Sequence, residues 1–270
     1  MTVPIVQLLP DWVPVFNGVD RGEWFTQLTT HVWRIDLDLW QKKCATLFTL
    51  LSKDEQERAN RFVRAIDQQR FIVSRGVLRQ LLGQYCAIAP DAITFHYTPQ
   101  GKPILAASPT PFSRPLALQF NLSHSHHLGL YAFTVGYPIG VDLEQLRPIP
   151  VLQLAQRFYR PAELESLRSL PSDQQPLTFL QYWTLKEAYL KATGRGIGGL
   201  NEVEVNQEAN PHQRLFRIGA AATSEPTVDC SWWMAEFVPK AGFVAALAIA
   251  TPQVPVIAWY DLVPHEFGIG

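Results

Sequence analysis

Sulfur is scarce in this chain. Its 270 residues include three cysteines, Cys44, Cys86 and Cys230, widely spaced and odd in number. That spacing excludes a disulfide framework and a paired zinc motif, and it points to a reducing, cytoplasmic setting. Charge of one sign is lacking too. The 23 Lys and Arg against 24 Asp and Glu leave a formal net charge of −1. No global basic field favours nucleic acid, and no block of like charge forms a tail. Long hydrophobic runs are absent. The most apolar stretch, FVAALAIATPQVPVIAW, is interrupted by Thr251, Pro252, Gln253 and Pro255, well short of a membrane span. The first residues, MTVPIVQLLPDWVPVF, carry three prolines and no basic cluster, so no signal peptide is expected. GxxxxGK[ST] does not occur, which excludes a P-loop, and the GxGxxG match GRGIGG (Gly194–Gly199) follows the expected helix Pro176–Ala192 rather than a strand, so it is not an ordinary Rossmann site. Without GxSxG there is no serine nucleophile elbow.

What remains is a chain with 47% hydrophobic residues, enough for one large domain or two small ones. HVWRIDLDL (His31–Leu39) reads as a strand. Ser52 with Glu55 three residues later has the pattern of a capping box, so a helix starts there. A second helix is expected over Asp67–Cys86, with Leu78, Leu81, Leu82 and Tyr85 as its apolar stripe. From Ala92 the period becomes two. AITFHYT, PIL, LALQFNLS, LGLYAFTV and IGVDLE read as strands, with the turn PQGKP between the first two. Helices follow over Val151–Tyr159, Pro161–Leu170 and Pro176–Ala192, with prolines in first turns and Gly194 as a stop. Strands then return in NEVEVN, LFRIG, VDCSWWMAEFV and FVAALAIA. A helical block thus precedes a strand block twice, as in a duplicated domain, with a boundary near Gly136–Pro138.

Two short stretches carry most of the chemistry. In YPIGVDLEQL, Asp142 and Glu144 lie two residues apart on an otherwise apolar strand. They point to one face, about 7 Å apart. In WTLKEAYLK, Trp183, Glu187 and Lys191 fall at i, i+4 and i+8, on one side of a helix. Each has a plainer reading, as a solvated strand end and as a surface ion pair. Together they suggest a metal. Three carboxylates without His or Cys are hard oxygen donors and favour Mg2+ over Zn2+, with water and substrate phosphate in the remaining positions. His124, His126 and His127 in HSHH are awkwardly spaced for a three-ligand zinc site.

Phosphate on such a metal calls for cations and donors nearby. Lys102 lies in the turn GKP, and Asn121, Ser123 and His124 at the strand end FNLSHS. Arg58 and Arg70 lie on the first-half helices. Each of these also fits a bland role, as a turn lysine, a polar core residue or a wet helix face.

The order of these motifs, GKP, F-N-x-S-H-S, I-G-V-D-x-E and W-x-x-K-E-A-x-x-K, resembles the 4′-phosphopantetheinyl transferase superfamily, in its surfactin-synthetase-activating form. The likeness runs from about Ser52 to Gly199 and loosely on to Ala250. It implies an α+β fold of two similar subdomains, residues 1–137 and 138–270, related by pseudo-two-fold symmetry. Each would be a helical block on a mainly antiparallel sheet, with the active site in the cleft between them. It implies Asp142, Glu144 and Glu187 as Mg2+ ligands, and Glu187 and Lys191 as catalytic residues. Arg58, Arg70, Lys102, Ser123, His124, Asp142 and Lys191 would contact coenzyme A. One departure is Glu55, where the family prototype is basic. It weakens the 3′-phosphate clamp unless Arg64 or Arg75 compensates.

The resemblance further implies transfer of 4′-phosphopantetheine from coenzyme A to a serine of an apo acyl or peptidyl carrier protein. Glu187, or a water it orients, would take the serine proton, and Lys191 would serve the departing phosphate. A docking patch is expected within Val151–Tyr182, with Arg157, Arg160 and Arg168 as candidates, on a chain acting as a monomer without nucleic-acid or membrane partners. Two alternatives remain open, a Mg2+-dependent nucleotide phosphoesterase and a non-catalytic module that binds coenzyme A or a carrier.

Overall fold

The computed structural model describes residues 12–15, 29–106, 118–205, 217–218 and 232–264. Strand β1 (Val13–Val15) is followed by β2 (Thr29–Asp36). Here the expected strand His31–Leu39 is cut short. Asp36 accepts a hydrogen bond from the Asp38 amide at 3.2 Å and caps a 3-10 turn over Leu37–Lys43. Next come α1 (Cys44–Thr49), α2 (Lys53–Asn60) and α3 (Ala65–Cys86). Ser52 stands at the N-cap of α2, and its amide donates to Glu55 Oε2 at 3.1 Å, as the capping pattern requires. Then follow β3 (Phe95–Tyr97), β4 (Pro103–Leu105), β5 (Leu118–Ser125), β6 (Leu128–Val135) and β7 (Ile139–Gln145). Helices α4 (Val151–Phe158), α5 (Pro161–Ser169) and α6 (Gln175–Thr193) match the expected spans to within two residues. Gly194 ends α6 in a left-handed conformation, φ 72°, as its position suggested. Strands β8 (Val203–Glu204), β9 (Arg217–Ile218), β10 (Trp233–Phe237), β11 (Phe243–Ile249) and β12 (Val256–Leu262) complete the fold. The outer residues of the expected strands NEVEVN, LFRIG and VDCSWWMAEFV lie outside the described residues.

The chain is α+β. One sheet has the order β1-β12-β2-β6-β5 and is mixed, since β12 runs parallel to both β1 and β2. The other, β10-β11-β7, is antiparallel. Hairpins β3-β4 and β8-β9 stand apart. Strand β12 was not expected from the sequence. Pro252 and Pro255 made its surroundings read as an interruption, yet it pairs with β2 along its whole length.

Strand alternation sorts the side chains into three cores. Trp33, Ile35, Tyr131 and Phe133 pack one face of the larger sheet against Val73, Val77, Leu78 and Leu81 of α3. Val32, Leu128, Leu130 and Ala132, on its other face, meet Ile139, Val141, Leu143, Ala245 and Leu247 of the smaller sheet. Val244, Ala246 and Ala248 turn the other way, onto Leu185, Ala188 and Tyr189 of α6. The layers therefore run helix, sheet, sheet, helix.

In β7 the odd-numbered residues Ile139, Val141 and Leu143 face the inter-sheet core. Gly140, Asp142 and Glu144 fall on the α6 side. A Cβ at Gly140 would lie 1.9 Å from the Ala188 carbonyl oxygen and 2.5 Å from the Ala192 nitrogen. The two backbones touch there, and only glycine permits it. Gly140→Ala is expected to destabilise the protein by about 3 kcal/mol or more, since neither backbone atom can swing aside. Gly198→Ala, which meets nothing within 4 Å, is expected to change stability by less than about 0.5 kcal/mol. Urea unfolding of the two variants provides the comparison, and equal midpoints would contradict the close approach.

Candidate active site

The contact at Gly140 sets α6 directly over β7. Glu187 and Lys191 project from α6, Asp142 and Glu144 from β7, and Ser123 and His124 from the end of β5. All six line one cavity of about 340 Å3, with Trp183 and Ile197 in its wall. Strand and helix periods thus converge as the sequence suggested.

Lys191 and Asp142 form the centre. The Lys191 ammonium donates to Asp142 Oδ1 at 2.6 Å and to Ser123 Oγ at 2.9 Å, while the Ser123 hydroxyl donates to Asp142 Oδ1 at 2.9 Å. Glu144 Oε2 accepts from Ser125 Oγ at 3.1 Å, with Arg147 at 3.7 Å. One lysine faces three carboxylates, and the imbalance is felt. Burial, then the neighbouring Asp142 charge, push Glu187 up to about 7. The same two causes raise Glu144. Asp142 Oδ2 and Glu187 Oε1 are buried without a hydrogen-bond partner. Unsatisfied buried carboxylate oxygens are costly, and a small divalent cation is the partner that hard oxygens suit. The donor set therefore fits Mg2+ in chemistry. Among the described residues, no three His, Cys, Asp or Glu side chains are already drawn together as a complete metal-holding group.

Three of the residues expected to contact coenzyme A lie outside this cavity. Lys102 reaches across to the end of α6 and the start of β7, donating to the Ala192 and Ile139 carbonyls at 3.1 and 3.4 Å. Burial lowers it to about 8. Arg70 makes a two-pronged ion pair with Asp38, both contacts at 2.9 Å. The Arg58 guanidinium lies 5.2 Å from the Phe71 ring centre. Glu55, the departure from the family pattern, is 2% exposed. Arg79 donates to it at 2.6 Å and Arg75 lies at 3.4 Å, so it serves as a helix cap and internal counter-ion. Arg64 is exposed beside Asp67 at 3.7 Å.

Sequence reasoning missed Ser125 and the fully buried pair Lys186–Glu163. The alternation in Asn121-Leu122-Ser123-His124-Ser125 signals the former, since Ser125 must share a face with Ser123. Lys186 donates to Glu163 Oε2 at 2.5 Å and to the Leu200 carbonyl at 3.0 Å, and the Val205 amide donates to Glu163 Oε1 at 2.8 Å. Nothing local in KEA distinguishes this lysine from a solvated one.

An α+β chain that gathers oxygen-donor carboxylates, a lysine and a serine-histidine pair around one cavity has the means for cation-assisted phosphoryl-group chemistry. Comparison with known proteins agrees. The profile of the 4′-phosphopantetheinyl transferase superfamily matches residues 138–248, and that of a 4′-phosphopantetheinyl transferase N-terminal region matches residues 38–136. The chain is 43% identical over 221 residues to the 4′-phosphopantetheinyl transferase HetI of Nostoc sp., covering 82% of this chain and 87% of the relative. It is 41% identical over 199 residues to a putative 4′-phosphopantetheinyl transferase, slr0495, of Synechocystis sp., covering 69% and 78%. It is 25% identical over 222 residues to Sfp of Bacillus subtilis, covering 82% and 92%. The chain belongs to the 4′-phosphopantetheinyl transferase superfamily.

The raised Glu187 makes stability depend on pH. An unfolded glutamate ionises near its ordinary value of 4.5, whereas the folded group holds its proton to about 7. Between these values the folded state binds the extra proton, so stability falls as pH rises through the window and levels off above it. In metal-free buffer, Glu187→Gln is expected to gain stability over the parent across this window, by on the order of 2 kcal/mol. Urea midpoints of both proteins from pH 4 to 8 read the effect, and parallel curves would contradict it.

Proposed function

We propose that this protein transfers the 4′-phosphopantetheine group of coenzyme A to a serine of an apo acyl or peptidyl carrier protein. The observation that carries the reading is the single cavity in which Asp142, Glu144, Glu187 and Lys191 meet, two of its carboxylate oxygens buried and unpartnered. The serine oxygen attacks the β-phosphorus of coenzyme A. The phosphoanhydride bond breaks, and adenosine 3′,5′-bisphosphate leaves. Asp142, Glu144 and Glu187 are the residues that would hold Mg2+, which neutralises pyrophosphate charge when bound. Glu187, held near neutrality by its surroundings, takes the serine proton directly or through a water. Lys191, fixed by Asp142 and Ser123, presents its charge to the departing phosphate.

Ser123 and His124 at the cavity edge, with Arg58, Arg70 and Lys102 beyond it, are the proposed coenzyme A contacts. Arg70 would have to share its charge between Asp38 and a phosphate. The proposed halves are residues 1–137 and 138–270, related by a pseudo-two-fold with the cavity in the cleft between them. Support comes from the repeated order of helices before strands and from α3 and α6 covering the outer sheet faces. Carrier docking is assigned to the α4–α5 surface. There Arg157 lies against Phe158, Arg168 is half-exposed, and Arg160 is engaged with Glu204 at 3.1 Å. We assign the chain a cytoplasmic setting and action as a monomer. Among the described residues no helix is long and apolar enough to cross a membrane.

Mass spectrometry of a panel of apo carriers incubated with coenzyme A and Mg2+ tests the reaction. Phosphopantetheine added to a carrier serine is the expected result. Hydrolysis of coenzyme A without a carrier would instead mark a phosphoesterase, and binding without turnover a non-catalytic module.

Asp142→Ala and Glu187→Ala are each expected to remove most transfer, by about a hundredfold or more, because they serve one cation. The double variant should cost little beyond the worse single change. Rates measured against Mg2+ concentration decide this, and fully multiplicative losses with an unaltered Mg2+ requirement would show that the carboxylates act separately. Lys102→Ala is expected to raise the KM for coenzyme A more than it lowers kcat. Steady-state kinetics with a fixed carrier provide the check, an unchanged KM counting against a phosphate contact at Lys102.

A further inference from the structure

Strands β5 and β7 each close a different sheet, and no backbone ladder joins them. Side chains do so instead. Asn121 Oδ1 accepts from the Val141 amide at 2.9 Å. Ser123 meets Asp142 at 2.9 Å, and Ser125 meets Glu144 at 3.1 Å. The serines are two residues apart, as are the carboxylates, and the strands run in the same direction. The rungs therefore repeat with the strand period, one serine for each carboxylate.

Ser125 has a second bond. Its oxygen accepts from the Gln145 amide at 3.1 Å, which fixes the hydroxyl against β7 and directs its proton to Glu144 Oε2. The other neighbour of that oxygen, Arg147, is half-exposed and 3.7 Å away, a looser partner. Glu187 differs from both strand carboxylates, because each of those accepts a serine hydroxyl and Glu187 accepts none among the described residues. Two carboxylates are thus tethered in advance and one is free to adjust.

We propose that Ser125 is a positioning residue, holding the Glu144 carboxylate toward the cavity so that cation affinity depends on a side chain that does not itself face the cation. The inference rests on the proposed function, in which Glu144 is a Mg2+ ligand. Groups that orient metal ligands typically contribute about 10- to 100-fold in affinity.

Manganese binding to the full chain, followed by electron paramagnetic resonance with coenzyme A present, tests it alongside the transfer assay. Ser125→Ala is expected to weaken manganese binding by about tenfold. The Mg2+ concentration for half-maximal transfer should rise by the same factor, and kcat at saturating Mg2+ should fall less. Ser125→Thr, which keeps the hydroxyl, should restore affinity to within about twofold of the parent. Parent-like manganese binding by Ser125→Ala, while Asp142→Ala and Glu144→Ala bind weakly, would overturn the positioning role and leave the metal reading standing. Parent-like binding by all three variants would remove the metal reading and this inference with it. If Ser125→Ala does not fold, Ser125→Cys replaces it, similar in size but with a weak S–H donor. Weakened binding supports the role, and parent-like binding overturns it.

Discussion

The site depends on a contact between two backbones. Gly140 of β7 lies against Ala188 and Ala192 of α6, with no room for a side chain between them. Small residues on both partners let a helix descend onto a strand far closer than ordinary side chains allow. Asp142 follows Gly140 on the same strand face, and Glu187 and Lys191 flank Ala188 and Ala192 on the helix. Closeness at Gly140 therefore becomes closeness of charge two residues further on. The price is electrostatic. Three carboxylates share one cavity, one lysine offsets part of the repulsion, and burial leaves Glu187 titrating near neutrality. A cluster of carboxylates assembled this way is electrostatically unfavourable until its charge is met.

Much of this was legible because it is local. A period of two placed Asp142 with Glu144, and a period of four placed Glu187 with Lys191. Ser52 and Gly194 marked helix ends through chemistry confined to one turn. What the sequence did not show is mostly pairing between residues distant in sequence. Arg70 read as a free cation because nothing near it in the chain announces Asp38, 32 residues away. Lys186 sits beside Glu187 in the sequence but points to Glu163, tying α5 to α6 and to residues on both sides of β8.

Glu55 shows how one residue supports two incompatible readings. As a helix cap it satisfies the Ser52 amide. As a replacement for a basic residue it reads as damage to a phosphate clamp. Its burial with Arg79 and Arg75 favours the first, because a carboxylate enclosed by two guanidinium groups presents no charge to a ligand. Under the proposed function, a coenzyme A surface in the first half would draw its cations from residues other than position 55.

Strand β12 gives the fold a temporal order. Residues 256–262 lie between β1 and β2, so Thr29 waits for Val256 before its strand is flanked on both sides. During synthesis from the N-terminus, β2 can pair with β6 as soon as the β5–β6 hairpin emerges, but its other edge stays open until nearly the whole described chain has left the ribosome. An open strand edge is a template for association with other chains. The larger sheet therefore closes last, by a long-range parallel pairing of the kind that forms slowly. The nascent protein keeps one edge of β2 unpaired from the time β2 is made until β12 follows it.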